Sequence, residues 1–413
     1  MQRISFDLKR IFEWLMIIAA LLNCHSVYDA GKMNMHLEIV TIIFLSAVLI
    51  SNRYVIMTNT DRMILALIII YQIPMLILAD SSYRFTYFSK FILLTAMVYF
   101  LAVSDSDFEK DIAAIFTNLI CIISALSLFF YVFTNMFPII KPSGTYFMEW
   151  GYGRTISDYY GLYFNASVSK IFRYKNSAIF TEAPVWSAIL CFAIIVETFV
   201  SGRNDKKKII LLIITLLSTE SVTSYVFLIL YFISLIYLAV EKNEIMGSKV
   251  IILGGLVGAA LLGGVAIIYI MGKKMNTGYS YYLRLDDLKV TFSIFGEHPL
   301  FGIGFGNTEI RNQRIGSWRR TFNVGQSSDL AYYIPGGGIW FFGAFLYGIY
   351  HIGYKIEKSQ RKVMFCLVLY LLVITRLCAT VLFVIFVAIG FGNVGRKKMK
   401  IYESTYRKTS GVS

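Results

Sequence analysis

Apolar runs of membrane-spanning length recur along almost the whole chain, at 11–28, 35–52, 63–79, 86–103, 112–138, 183–201, 209–219, 222–240, 249–271, 337–354, 363–375 and 377–391. Inside a bilayer a segment must satisfy its own backbone N–H and C=O groups, so runs of this kind are helices or nothing. The pattern predicts an all-α polytopic membrane protein of about 12 transmembrane helices. Composition points the same way. The chain is 57% hydrophobic and only 15% charged, where soluble domains carry about 25% charged residues. A soluble enzyme is excluded, and six prolines without a polar tract exclude extended disorder.

Lysine and arginine set the sides of the membrane. With the N-terminus inside, inner segments hold 22 of the 39 Lys and Arg, among them Arg3, Lys9, Arg10, Lys206–Lys208, Lys355, Lys358, Arg361, Lys362 and Arg396–Lys398. The short outer loops carry only Lys32 and Arg84. Both termini are therefore expected in the cytoplasm, and the net charge of +14 belongs to the membrane topology rather than to nucleic acid. Lys206–Lys208 and Lys242/Lys249 both lie inside, so 209–240 must go out and back, turning at Ser218-Thr219-Glu220-Ser221. The same reasoning puts a turn at Arg376. One membrane domain, 1–413, results, with two long outer loops at 139–182 and 272–336. The first apolar run lacks a small-residue cleavage site and is expected to be retained. Cys24, Cys121, Cys191, Cys366 and Cys378 lie in or beside apolar runs without C-x-x-C spacing, which reads as buried thiols rather than a metal or disulfide framework.

The first outer loop is rich in aromatics: Tyr146, Phe147, Trp150, Tyr152, Tyr159, Tyr160, Tyr163 and Phe164. Such rings stack on sugar faces and also anchor proteins at the membrane interface. The second loop opens with an amphipathic helix, 280–296. Leu285, Leu288, Phe292 and Phe295 fall on one face, and Arg284, Asp287 and Thr291 on another. This helix can lie on the outer leaflet with Arg284 at headgroup depth. Next comes Gly302-Ile303-Gly304-Phe305-Gly306, either a turn where backbone meets backbone or a loop whose amides approach a phosphate. Basic residues in this loop outnumber acidic ones by eight to five, and arginine suits bidentate phosphate recognition. An anionic partner follows: lipid headgroups, or a lipid-linked pyrophosphate. Charges within spans are costly. Lys90 can snorkel and Glu13 is near the inner interface, whereas Arg376, between two apolar runs, is harder to dismiss.

Two segments resemble a known family. Arg173-Tyr174-Lys175-Asn176-Ser177-Ala178-Ile179-Phe180-Thr181-Glu182-Ala183-Pro184-Val185-Trp186-Ser187-Ala188 resembles the R-x-x-G-x-F-x-(E/N)-P-(S/N)-x-x-A pattern of the O-antigen polymerase/ligase superfamily. Ser177 stands where the pattern has glycine, and Ala183-Pro184 where it has Pro-Ser. The stretch from Arg284 to Asn307 resembles the second outer-loop signature, an arginine, a helix and then N-P-x-x-G-x-G-x-G, with Glu297-His298-Pro299 inserted. Members of the ligase branch resemble one another in a His-Asn shortly before the glycine-rich helix after this loop. Here the position reads Ser327-Ser328-Asp329-Leu330, ahead of Gly336-Gly337-Gly338. The resemblance is therefore to a Wzy-type repeat-unit polymerase.

That resemblance implies a GT-C-like, metal-independent glycosyltransferase in the bacterial cytoplasmic (inner) membrane. It would act on undecaprenyl-pyrophosphate-linked saccharides at the outer face, building O-antigen, capsule or exopolysaccharide, with no cofactor and no nucleotide sugar. A chain-length regulator is a compatible partner. By motif position the family's phosphate-binding arginines fall on Arg173 and Arg284. Arg376 is added on its own burial cost. An acceptor hydroxyl needs a base within hydrogen-bond reach, for which His298, Glu182 and Asp329 are the candidates. His298 can instead cap a helix end, and Glu182 can simply face a helix N-terminus. Two rivals stay open: an O-antigen ligase with a lipid A core acceptor, and a polysaccharide or lipid transporter or flippase, which usually shows internal repeats.

Overall fold

The computed structural model describes residues 7–30, 34–52, 57–148, 154–166, 174–241, 279–320, 325–353 and 356–394. The expected span 249–271, Arg173, Trp150, Tyr152, Lys273, Lys274, and the inner-side cations Arg3, Lys242, Lys249, Lys355 and Arg396–Lys398 lie outside these residues, as does Lys32.

The described chain is mostly helical. In order come α1 (Leu8–Leu22), α2 (Asn34–Ser51), α3 (Asn59–Leu78), α4 (Arg84–Ser104) and α5 (Phe108–Met136). After the first long loop follow α6 (Ala183–Val200), α7 (Lys206–Ser218) and α8 (Val222–Glu241). The second loop carries α9 (Tyr279–Glu297) and α10 (Thr308–Arg314), and the chain continues with α11 (Leu330–Tyr350), α12 (Lys358–Ile374) and α13 (Val381–Val394). Five of them, α3, α4, α5, α6 and α8, are long and apolar enough to cross a membrane. The break between α7 and α8 falls on the polar residues 219–221, where Glu220 has φ 46°. Residues 375–380 separate α12 from α13 and contain Arg376.

Burial sorts the helices. The apolar window of α6 is 83% buried and that of α3 only 17%, so α6 sits at the centre and α3 at the periphery. Phe192 of α6 packs on Phe383 and Phe386 of α13 with ring centroids 4.9 and 5.0 Å apart. Phe116 of α5 closes this cluster, 5.6 Å from both Phe192 and Phe386. Cys24, Cys191 and Cys378 are buried as expected, but Cys366 lies exposed on α12, on a face available to lipid rather than to the protein interior.

The long loop after α5 departs from the all-α expectation. It forms a three-stranded antiparallel sheet, β1 (Gly144–Met148), β2 (Arg154–Tyr159) and β3 (Tyr163–Asn165). Tyr160 and Gly161, with φ 58° and 69°, make the turn between β2 and β3, closed by the Leu162 N–H on the Tyr159 carbonyl at 3.0 Å. Two consecutive positive φ values match the right-handed twist of a hairpin. Threonine, isoleucine and aromatics in β1 and β2 suit a pleated surface. Tyr159, Tyr163 and Phe164 are buried, while Phe147 and Tyr160 stay exposed. Much of the aromatic content is therefore the core of a small sheet, not an interface belt.

The glycine-rich segment meets backbone, which supports the packed-turn reading. A Cβ on Gly304 (φ +87°) would lie 2.0 Å from the Leu78 carbonyl oxygen at the end of α3. The same segment fills the gap where α11 unwinds at Gly338 (φ 56°, ψ −160°). There the Ile303 N–H donates to the Pro335 carbonyl at 2.8 Å, and the Ile339 and Trp340 N–H groups donate to Pro299 and Leu300 at 2.9 Å. Replacing Gly304 with alanine should lower stability by about 2 kcal/mol or more, from overpacking and a strained φ together. Thermal unfolding in detergent tests this, and an unchanged midpoint would refute the close approach.

Candidate functional site

Four segments converge on a cavity of about 230 Å³. They are the turn after α1, the start of α6, the first half of α9 with the strap 325–329, and the break between α12 and α13. Polar groups on its wall are His25, Glu182, Arg284, Gln326, Ser327 and Arg376. Val185, Ala188, Leu283, Ile374 and Leu377 supply apolar wall. A charged rim above an apolar wall fits an amphiphile with an anionic head.

Arg376 sits in the broken segment, and the break is braced from three sides. Asp329, fully buried, accepts the Cys378 and Ala379 N–H groups at 2.7 and 2.8 Å, and its own N–H donates to the Thr375 carbonyl at 2.7 Å. The Tyr333 hydroxyl donates to the Cys378 carbonyl at 2.7 Å. Lys90 of α4 does not snorkel to water. Its ammonium donates to the Ala379 carbonyl. The Arg376 guanidinium lies over the ring of Tyr332, 5.1 Å from its centroid, and its buried Nε has no hydrogen-bond partner.

Arg284 is held through its own helix. Asp287, one turn on, accepts Arg319 Nη1 at 3.0 Å and the Ser327 N–H at 2.8 Å, with Arg311 Nη2 at 3.7 Å. Arg319 is 1% exposed. It also donates to Asp286 at 3.0 Å and to the Gly325 carbonyl at 2.7 Å. A buried cation needs this full set of partners, and the set fastens α9 to the strap carrying Gln326 and Ser327. The amphipathic helix thus turns its polar face inward: Asp287 and Thr291 are buried, and Leu285 and Phe292 are exposed. Burial pulls the Arg284 guanidinium below its ordinary value, against the pull of Tyr370 and Asp287. Arginine nonetheless stays charged. Among the described residues neither Arg284 nor Arg376 forms an ion pair.

Glu182 precedes α6 and makes no side-chain capping hydrogen bond to it. The segment leading to it is pinned at several points. Asn176 Nδ2 donates to Ser218 and Ser127 at 2.9 and 3.2 Å. Ser177, where the motif has glycine, donates to the Phe164 carbonyl at 3.0 Å. The Thr181 N–H donates to the His25 carbonyl at 3.1 Å, which joins the Glu182 and His25 segments. Tyr28, from the same turn, donates to the Gly161 carbonyl of the sheet.

The positions read from sequence are thus divided. Glu182, Arg284 and Arg376 line one cavity. His298 does not: it is exposed beyond the end of α9, fourteen residues or about 21 Å of helix from Arg284. Asp329 lies beside the cavity, but both its oxygens are used on backbone N–H groups, and its position is that of a brace. Burial pushes its carboxyl up to about 7, opposed by the Cys378 N–H and the charge of Arg376. His25 lies inside the apolar run 11–28, where a lone histidine carries no spacing signal. Among the described residues no group of three or more His, Cys, Asp or Glu could hold a metal. Replacing Asp329 with alanine leaves two buried N–H groups unpaired and should cost about 3 kcal/mol or more. A large drop in the unfolding midpoint is expected; an unchanged midpoint with lost activity would instead mark Asp329 as a reacting group.

Comparison with known proteins bears on this same region. No curated protein and no solved structure matches the chain. Residues 209–340, which include α9, the strap and the glycine-rich turn, match the family described as O-antigen ligase. The match covers this segment alone, and it agrees with the resemblance of the chain to the O-antigen polymerase/ligase superfamily.

Proposed function

We propose that this protein is a repeat-unit polymerase. It joins undecaprenyl-pyrophosphate-linked oligosaccharides into a surface polysaccharide at the outer face of the bacterial cytoplasmic membrane, and it crosses that membrane 12 times with both termini inside. The observation that carries this reading is the convergence of Arg284 from α9 and Arg376 from the break between α12 and α13 on one cavity with an apolar wall. The apolar wall suits the start of a lipid chain and the arginines suit its pyrophosphate.

In the reaction the acceptor hydroxyl attacks C1 of the donor sugar, and undecaprenyl pyrophosphate departs with the bonding electrons. Negative charge grows on the leaving oxygen, and fixed cations in a poorly hydrated site stabilise it where it develops. Arg284 and Arg376 take this role, with Arg173 as a third. No metal is needed for that charge balance. Glu182, at the head of α6, suits hydrogen bonds from the acceptor sugar. The apolar outer face of α9 suits the lipid surface beside the donor.

Ligase activity is the second reading, and the description of the matching family favours it. Asp329 in place of the ligase histidine favours the polymerase. Reconstitution separates them. Purified protein in lipid, given only the lipid-linked repeat unit, should form a ladder of longer lipid-linked glycans. Arg284→Ala and Arg376→Ala should each lower turnover by about 100-fold or more, and His298→Ala should stay near wild type. Transfer only after adding lipid A core would make the protein a ligase. No transfer to either acceptor would favour transport.

A further inference from the structure

We propose that Tyr332 is the positioning residue of Arg376. Its ring face holds the guanidinium in place for an anionic headgroup, a role that rests on the glycosyl-transfer reading above. The guanidinium carbon of Arg376 lies 5.1 Å from the ring centroid. Among the described residues Arg376 forms no ion pair, and its buried Nε has no hydrogen-bond partner, so the ring is its main contact. Tyr332 stands in the first turn of α11, where its N–H donates to the Asp329 carbonyl at 3.0 Å. Asp329 fixes the backbone of the break through the Cys378 and Ala379 N–H groups. Three residues on, Tyr332 fixes the head of the side chain that the break carries.

A carboxylate in the same place would hold the guanidinium more firmly and cancel its charge. A ring face attracts a cation through its quadrupole and brings no anionic oxygen. A guanidinium over a ring keeps the N–H groups of its edge for bidentate contact with phosphate. The ring is fixed in turn by the glycine-rich segment. The Tyr332 and Tyr83 hydroxyls are hydrogen-bonded to each other, and the Phe305 ring lies 5.4 Å from that of Tyr332. Gly306 (φ +81°) approaches Tyr83 so closely that a Cβ there would collide with the Cβ of the tyrosine. The Asp80 N–H donates to the Phe305 carbonyl at 2.9 Å. Gly304 and Gly306 thus act on the cavity from a distance: they seat Phe305 and Tyr83, which seat Tyr332, which seats Arg376. In this arrangement the glycine-rich segment contributes the back of an aromatic platform.

The test uses the full chain in lipid nanodiscs, with undecaprenyl pyrophosphate as the ligand and calorimetry as the readout. Tyr332→Phe keeps the ring. Phenylalanines carrying one, two and three ring fluorines at the same position keep its shape and drain its π face. Affinity should fall stepwise with fluorination, by about 10-fold at three fluorines relative to Tyr332→Phe, while the unfolding midpoint stays level across the series. Fluorinated tyrosines carry the same series should Tyr332→Phe not fold. In an Arg376→Gln background the series should be flat, because Tyr332 acts through Arg376. Turnover of the lipid-linked repeat unit should follow the affinity. A flat series with Arg376 present would overturn the assignment, as would an equal slope with Arg376→Gln or a midpoint that falls in step with affinity. If wild type binds undecaprenyl pyrophosphate with the graded response but transfers no glycan, the glycosyl-transfer reading fails and the role of Tyr332 stands. If wild type binds no pyrophosphate lipid, both proposals fall.

Discussion

A helix that stops inside a protein with no water at hand leaves backbone donors and acceptors that must find other partners. The break at 375–380 answers that demand with Asp329. Its carboxylate takes two of the exposed N–H groups, while Lys90 and Tyr333 take the adjacent carbonyls. Everything functional about the cavity depends on this arrangement. The break turns Arg376 out of a helix ladder and into a polar wall, and the brace keeps it there. Asp329 also stands at the N-terminal end of α11, so the same side chain ties the second long loop to the α12–α13 pair.

The opposite wall is held by a different device with the same logic. Arg319 and Arg311 are buried with Asp287 and backbone carbonyls, so the strap and α9 behave as one body. Arg284 rides on that body without spending its charge on an internal partner. The outcome is a division of labour among cations that look alike in sequence. Arg311 and Arg319, with a carboxylate partner in Asp287, hold the loop, and Arg284 and Arg376 face the cavity. The sheet of the first long loop packs, through Phe164 and Tyr28, against the turn that bears His25.

Individual elements show how far residue patterns reached. Apolar runs identified the helices, because hydropathy needs no partner to be read. Arg376 was legible because a charge among apolar runs is costly wherever it points. The polar break at 218–221 was legible for the same reason. Asp329 reads from sequence as a candidate base, and its contacts in the structure are those of a brace, since an aspartate that caps a distant helix break is written like any other. His298 looked favourable by its chemistry, but a position along α9 could not reveal which end faces the cavity. The β-sheet escaped notice because its strands are short and share their aromatics with an interface signature. The Tyr160-Gly161 turn was the overlooked signal.

By itself the sequence determined that this is a membrane protein of many apolar helices with a long basic loop, since burial of apolar side chains and the cost of charge are properties of each segment alone. Its glycine-rich segment and Arg284 were also enough to point toward a family. Only the tertiary structure decided which cations are spent on internal carboxylates and which remain to meet a ligand. It alone brought His25, Glu182, Arg284 and Arg376 to one cavity from segments separated by up to 351 positions. The physical reason is that pairing and exposure belong to contacts between segments, and no local pattern encodes a partner that lies hundreds of residues away.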